Sequence, residues 1–235
     1  MEIWAHRGCS FRHPENTLES FEAAAKLEGL TGIELDVQLA KDGEIVVIHD
    51  EKLDRTTTMV GYVKDWAFTD YEKYTKIPSL EQVLTLLKPY MDKGLMLNIE
   101  LKNSEIRYEG MEQKVMDMVH RFGIADKVIY SSFNSDSTKL IKETDPSTNV
   151  ACLANDILDC MNDCNFKVHG DAVHPFIRMV NLPKFALEDI KVRVWTKDPL
   201  YPREYFMIHH DLRKLESKGI DGIFLNNPED YLGKF

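Results

Sequence analysis

Short apolar segments alternate with helical patterns from one end of the chain to the other. Eight of these segments have the length and composition of β-strands: Ile3–His6, Gly32–Leu39, Leu95–Leu101, Val128–Ser132, Asn149–Leu153, Ala172–His174, Val192–Trp195 and Gly222–Leu225. Strands that are each followed by a crossover pair in parallel. In a chain of 235 residues this pattern predicts an α/β fold, a closed (β/α)₈ TIM barrel, with an open doubly wound sheet as the competing topology.

The connections between these segments carry apolar residues at helical spacing. The predicted helices are Leu18–Glu28, Leu80–Leu87, Met111–Phe122, Ser135–Lys142 and Glu204–Lys218. Asn16 and Glu19 have the spacing of a capping box, so we expect them to start the first helix.

The connection between the second and third predicted strands is too long for a simple crossover. Asp42-Gly43 is a turn signal, and the apolar run Ile45–Ile48 after it predicts a hairpin that ends at His49-Asp50. Residues from about 40 to 80 are therefore predicted to form an excursion over the barrel mouth. Since no linker-like segment interrupts the chain, residues 1–235 are interpreted as a single domain.

The overall charge limits the kinds of partner. Lys and Arg number 29 against 39 Asp and Glu, a net charge of −10, which disfavours nucleic acid or an anionic membrane as the main partner. The sequence shows neither a signal peptide nor an apolar run of membrane-spanning length, and its four cysteines are too few for a disulfide scaffold. These features predict a cytoplasmic protein without stable membrane insertion. An anionic small-molecule substrate is still possible, because a local cluster of positive charge can override the overall sign, and the oligomeric state stays open.

Two of the predicted strands carry charged residues on one face. The polar members of the alternation are Glu34, Asp36 and Gln38 in the second strand and Asn98, Glu100 and Lys102 in the third. A strand in a parallel barrel is normally apolar on both faces. If the apolar face packs against the helices, the charged members of this set point into the barrel mouth.

The carboxylates of Glu34, Asp36 and Glu100 would then share one cavity. Two like charges 4 Å apart repel by about 4 kcal/mol at an effective dielectric near 20. Raised pKa values, salt bridges to Arg7 and Lys102, or a bound cation could offset this repulsion. An all-oxygen ligand set favours Mg²⁺ or Ca²⁺, and an ion-pair network without metal is the alternative.

His6 and His49 each follow a predicted strand at its carboxyl end, where barrel enzymes carry their catalytic groups. Two imidazoles beside a reacting centre suit general acid and base catalysis, although either one alone could be a structural histidine.

Three further side chains are candidates for substrate contact. Arg7 offers a forked donor for a phosphate oxygen, or a salt bridge to a carboxylate. Trp195 is predicted to point inward, either as a core residue or as a surface that stacks on the substrate. His174 ends a predicted strand and is a weaker candidate.

At this point the sequence resembles the glycerophosphodiester phosphodiesterase family, which has (β/α)₈ barrels. The similarity covers nearly the whole chain in ordered motifs: HRG at 6–8, PENT at 14–17, Glu34-Leu35-Asp36, VVIHDEKLDRTT at 46–57, IPSLEQVL at 77–84, NIELK at 98–102, VWTKDP at 194–199 and GIDGIFLNNPEDY at 219–231. The family cleaves glycerophosphodiesters to sn-glycerol 3-phosphate and an alcohol.

The resemblance implies a role for each candidate residue. It implies that Glu34, Asp36 and Glu100 are metal ligands for Mg²⁺ or Ca²⁺, that His6 and His49 are the acid–base pair, and that Arg7 and Lys102 contact phosphate. The attacking oxygen is either a water or the glycerol 2-hydroxyl. The leaving alcohol and the choice of cation stay open.

Two motifs depart from the family pattern. Trp195-Thr196-Lys197-Asp198 does not continue to asparagine, and Leu225-Asn226-Asn227-Pro228 replaces the usual Thr-Asp before the proline. We interpret both departures as affecting substrate preference and not the histidine or metal positions. The alternatives are a phospholipase-D-like enzyme acting on lysolipid phosphodiesters and a non-catalytic barrel that binds a phosphate ligand.

Overall fold

Eight parallel strands form a closed barrel, so the predicted (β/α)₈ fold is confirmed. The structure, a computed structural model, describes residues 1–202 and 208–232. Its strands are β1 (Glu2–His6), β2 (Gly32–Leu39), β3 (Ile45–Val47), β4 (Met96–Leu101), β5 (Val128–Ser132), β6 (Asn149–Ala154), β7 (Ala172–Pro175), β8 (Lys191–Val194) and β9 (Gly222–Leu225). All except β3 pair in parallel in chain order, and β9 pairs with β1 to close the barrel.

Helices cover the outside of the barrel. Within the described residues the α-helices are α1 (Leu18–Ala25), α2 (Phe68–Tyr74), α3 (Leu80–Met91), α4 (Met111–Arg121), α5 (Ser135–Thr144), α6 (Ile157–Asn162) and α7 (Leu212–Ser217). The helix predicted over 204–218 is thus observed only from residue 212, and positions 203–207 lie outside the described residues. None of the helices in the described ranges combines the length and the apolar character needed to cross a membrane.

The start of α1 differs from the prediction. Thr17, and not Asn16, is the N-cap: its hydroxyl accepts a hydrogen bond from the Ser20 amide, and the Ser20 hydroxyl accepts one from the Thr17 amide. Asn16 instead adopts a left-handed backbone (φ 56°) and donates its side-chain amide to Asp36. The predicted pairing with Glu19 is therefore wrong, because the Asn16 side chain is directed into the barrel mouth.

The apolar and polar residues of β2 lie on opposite faces of the strand, as expected. Its apolar residues Ile33, Leu35 and Val37 are fully buried in the same cluster as Phe21 of α1 and Leu84 of α3. The opposite face of β2 consequently points into the barrel.

A second apolar cluster lies inside the barrel. Trp4 is two residues before His6 on the inward face of β1 and is 1% exposed. Its ring lies 5.7 Å from that of Phe224. A side chain on Gly32 would place a Cβ only 2.4 Å from the Trp4 ring, so the adjacent strand carries glycine there. This cluster fills the barrel interior below the charged residues, so the mouth does not continue as a channel through the barrel.

The excursion after β2 has the predicted hairpin. β3 pairs antiparallel with β2. A small apolar cluster that includes Val46, Ile48, Tyr71 and Ile77 supports this segment. Because the hairpin is packed on its own core, the segment that follows it starts from a fixed position at the barrel mouth.

Glu2 holds a charge cluster at the amino-terminal end of the barrel. Its carboxylate accepts hydrogen bonds from Arg193 Nε (2.6 Å), Lys191 Nζ (2.9 Å) and Trp4 Nε1 (3.0 Å). Although burial acts to raise the pKa of Glu2, these partners lower it to about 2.

Replacing Glu2 by glutamine is expected to lower the free energy of unfolding by about 1–3 kcal/mol near neutral pH, because the buried Arg193 loses its charged acceptor. A carboxyl whose pKa is lowered in the folded state stabilises the protein above its unfolded pKa, so the difference should shrink as pH falls from 4.5 toward 2. Urea unfolding of both proteins across this range tests the prediction. A difference that does not change with pH would contradict it.

Candidate active site

Three carboxylates converge at the carboxyl ends of β2 and β4. Asp36 and Glu100 are paired neighbours across the two strands, and Glu34 lies one inward position below Asp36. One carboxylate oxygen from each of the three lies within 4.8 Å of the others. The structure thus brings together the three acidic residues that the sequence singles out.

This cluster fits a hard divalent cation. Glu34 Oε1 and Asp36 Oδ1 are buried and accept no hydrogen bond from any described residue. A buried carboxylate oxygen without a partner is costly, and an oxygen-only donor set is the one that Mg²⁺ or Ca²⁺ prefers. The unpartnered oxygens are therefore explained if the two carboxylates ligate a cation.

The neighbouring charges act unequally on the carboxylates. Burial, together with the charges of Asp36 and Glu100, raises the pKa of Glu34 well above its usual value. Burial also acts against ionisation of Asp36, but Arg7, His49 and Lys102 hold the pKa of Asp36 below its usual range. Without a bound cation, the positive charges nearby do not fully neutralise a charged Glu34 carboxylate.

Arg7 is fixed between the first two strands by an unusual backbone. It adopts a left-handed conformation (φ 57°), from which its amide donates to Glu34 Oε2 at 3.0 Å. Its guanidinium Nη1 donates to Glu15 Oε1 at 2.8 Å, and its Nε lies 3.2 Å from Asp36 Oδ2. Such backbone strain in a non-glycine residue is typical of functional sites.

His6 lies at the base of the mouth. Its Nε2 is 3.9 Å from Glu34 Oε2, and its Nδ1 is 2.7 Å from Asn226 Oδ1. Burial and the charge of Arg7 lower the pKa of His6 to about 3. The contact with Asn226 corrects our interpretation of the altered closing motif, because this residue contacts a histidine of the site directly.

His49 lies two residues after the end of β3. Its Nδ1 donates to Asp50 Oδ1 at 2.6 Å, and its Nε2 accepts from Lys102 Nζ at 3.2 Å. Lys102 also donates to Glu100 at 2.9 Å, and despite burial Glu100 and Asp36 raise the pKa of Lys102. Lys102 consequently links His49 to the carboxylate cluster.

A family model described as the glycerophosphoryl diester phosphodiesterase family matches residues 6–230, a range that includes both histidines and all three carboxylates. The chain belongs to this family. Its members hydrolyse phosphodiesters, so the protein is a phosphodiesterase.

Individual relatives extend over the same range. The protein is 40% identical to YqiK of Bacillus subtilis, with 97% of this chain and 96% of that protein covered. It is 36% identical to a glycerophosphodiester phosphodiesterase of Bacillus altitudinis, with coverages of 97% and 95%. A phosphodiesterase of Oleispira antarctica, solved in complex with the product sn-glycerol-3-phosphate, has the same fold (TM-score 0.79, 24% identity, 98% and 94% covered).

Trp195 of the phosphodiesterase lies in an aromatic group beside the mouth. Its ring centre is 4.8 Å from that of Phe176 and 5.9 Å from that of Phe133. The ammonium of Lys197 lies 5.7 Å from the same ring, and the indole donates to the carbonyl of Ala154 at 3.3 Å. The half-buried Trp195 therefore has both packing contacts and an open surface.

His174 does not lie at the mouth of the phosphodiesterase. It is 1% exposed, and its ring packs edge-on against Phe224 at 5.0 Å in the barrel interior. The suggestion that it contacts substrate is therefore wrong, because the residue lies in the layer that fills the barrel.

A cleft of about 1500 Å³ opens beside His49. Its walls come from the excursion after β2, which contributes Ile77, and from the segment after β8, which contributes Pro199 and Leu200. Arg7 also borders the cleft. Of the two histidines, His49 lines the cleft and His6 does not.

Other polar residues support the site although the sequence interpretation gave them no role. Glu15 accepts hydrogen bonds from Arg55 at 2.6 and 2.8 Å, and Arg55 also binds Asp50. Gln38 donates to three successive carbonyl groups at residues 48–50, which fixes the backbone of His49. The available signals were the PENT and HDEKLDR motifs and the inward position of Gln38 in the β2 alternation.

Proposed function

We propose that the protein hydrolyses glycerophosphodiesters to sn-glycerol 3-phosphate and an alcohol, with a divalent cation and with His6 and His49 as the acid–base pair. The observation that carries this proposal is that two histidines, three carboxylates and the basic side chains of Arg7 and Lys102 lie together in the barrel mouth. The names of the relatives, and the product bound to the Oleispira antarctica enzyme, support this choice of substrate.

Glu34, Asp36 and Glu100 would hold the cation, Mg²⁺ or Ca²⁺, and when bound it supplies Lewis-acid polarisation of the phosphoryl group. Arg7 and Lys102 would contact the phosphate oxygens. Both side chains are positively charged and buried beside the carboxylate cluster. They would stabilise the negative charge that develops on the phosphate oxygens, in a site of low dielectric.

The positions of the histidines suggest different roles. His49 borders the cleft and is 32% exposed at its side chain, whereas the His6 side chain is 14% exposed beside Glu34. If the cleft receives the leaving alcohol, His49 is placed to protonate it from Nε2, once that nitrogen carries a proton in place of its hydrogen bond from Lys102. His6 would then take the proton from the attacking oxygen, which is a water or the glycerol 2-hydroxyl.

The cleft also favours a second candidate function. Its volume is far larger than a choline or ethanolamine group requires, and Ile77, Leu200 and Ile208 give it apolar walls. A phospholipase-D-like activity on lysolipid phosphodiesters would use such walls to hold an acyl chain. Trp195, with its open ring surface, is proposed as a substrate contact in either case.

Chelation is expected to abolish hydrolysis, and adding back Mg²⁺ or Ca²⁺ should restore it. The assay measures release of sn-glycerol 3-phosphate from the choline, ethanolamine, glycerol and inositol diesters. Release of choline is measured in parallel from lysophosphatidylcholine, whose cleavage would leave lysophosphatidate. Full turnover by the chelated enzyme would contradict metal dependence. Cleavage of lysophosphatidylcholine alone would favour the second function.

The biological setting follows from the same proposal. The proposed substrate is a small molecule that is free in solution, and we place the protein in the cytoplasm. Residues 1–235 are proposed to form one domain, because no linker-like segment interrupts the chain. The cysteines Cys9, Cys152, Cys160 and Cys164 support this setting, since all are buried free thiols.

A further inference from the structure

Asn226 follows β9 directly and is 1% exposed. Its side-chain Nδ2 donates to the backbone carbonyls of Asp198 at 2.9 Å and Pro199 at 3.0 Å. Because carbonyl oxygens only accept hydrogen bonds, the atom between them must be the amide nitrogen. The other end of the amide, which faces His6 Nδ1 at 2.7 Å, is therefore the acceptor Oδ1.

An acceptor at this position determines which imidazole nitrogen carries the proton. His6 Nδ1 must donate to Asn226 Oδ1, so a neutral imidazole keeps its lone pair on Nε2. That atom is the one directed at the carboxylate cluster, 3.9 Å from Glu34 Oε2. The other tautomer would turn two lone pairs against each other at the Asn226 contact.

We propose that Asn226 is a positioning residue that holds His6 in the Nδ1–H tautomer and so directs the lone pair of Nε2 at the reacting centre. The catalytic part of this inference rests on the proposed function of His6. The tautomer itself does not, so the two can fail separately.

The same amide connects His6 to the wall of the cleft. Asp198 and Pro199, whose carbonyls it binds, both line the cleft. The Asp198 carboxylate is in turn 2.7 Å from His210 Nε2. Asn226 thereby sets the distance between the histidine and the segment that bounds the substrate's path.

The tautomer can be measured without turnover. In ¹⁵N-histidine-labelled protein with Mg²⁺ present, two-bond ¹H–¹⁵N couplings distinguish Nδ1–H from Nε2–H imidazole, and a His6→Gln spectrum assigns the signal. The wild-type protein should show Nδ1–H at His6, and Asn226→Asp, which keeps an acceptor, should show it too. Asn226→Leu should lose this uniform state. Nε2–H in the wild-type protein would overturn the proposal even if no variant folds.

Kinetics separate positioning from a general structural role. Asn226→Leu should lower kcat by roughly 10–100-fold, the usual effect of losing a residue that orients a functional group, which is less than the roughly 10²–10⁴-fold effect of losing an acid–base group itself. Asn226→Asp should keep more of kcat than Asn226→Leu and change KM, because it loses the donors to the cleft wall. Asn227→Ala is the matched control, since this buried amide contacts Asp230 in the same segment and not His6. Equal losses in the control and in Asn226→Leu, or an unchanged tautomer in Asn226→Leu, would overturn the proposal.

Discussion

Replacing Glu34 by glutamine is expected to remove most of the turnover and yet leave the cation-free protein at least as stable as the wild type. The loss of activity should be roughly 100-fold or more, since even the outer partners of a metal site are worth about 10–100-fold. Stability should not fall, because Glu34 is the carboxylate whose charge the cluster accommodates worst: burial and the charges of Asp36 and Glu100 raise its pKa. Glutamine keeps the shape and removes that charge.

Glu15 provides the contrasting variant. Its side chain is as buried as that of Glu34, each 5% exposed, but it lies between two guanidiniums, those of Arg7 and Arg55. Glu15→Gln should therefore destabilise the protein, by roughly 3 kcal/mol as expected for a broken buried ion pair. Urea unfolding after chelation compares the stability of the two variants. Binding of the cation is measured separately: adding Mg²⁺ or Ca²⁺ should raise the Tm of the wild type and should not raise that of Glu34→Gln. Equal destabilisation by both changes would favour the ion-pair network without metal.

The barrel and its carboxylates were predictable because strand alternation is a local property of the sequence. A parallel-barrel strand that carries Glu34 and Asp36 on one face must direct that face at the mouth, since its other face packs on helices. The same reasoning places Glu100 on the neighbouring strand. These predictions needed only the period of two and the order of the strands.

The supporting contacts were not predictable because they join residues far apart in sequence. Asn226 meets His6 across 220 positions, and Glu15 meets Arg55 across 40. Asn16 had the right spacing for a helix cap, but a tertiary bond to Asp36 takes its side chain. Spacing rules describe what a residue can do locally, and a buried carboxylate nearby can offer a stronger partner.

The two histidines should respond differently to the leaving group. His6→Ala and His49→Ala should each lower kcat on glycerophosphocholine by roughly 10²–10⁴-fold, the range of a general acid or base. A nitrophenolate leaves without being protonated, so a glycerophosphodiester of p-nitrophenol no longer needs the acid. If His49 protonates the alcohol at the cleft, His49→Ala should recover most of its activity on this substrate, and His6→Ala should not.

Each variant is compared with itself on two diesters. A folding defect would lower its activity on both, so a difference between the two diesters reports the chemistry of the leaving group. His120→Ala, at an exposed imidazole of α4, should match the wild type on both. Near-full turnover of either site variant on glycerophosphocholine would contradict the acid–base pair, and recovery of His6→Ala instead would exchange the two roles. The prediction depends on one asymmetry: His49 borders the cleft, while His6 lies beneath it between Glu34 and Asn226. His49 thus lies where a leaving alcohol would depart through the cleft, and Nε2 of His6 lies beside the carboxylate cluster.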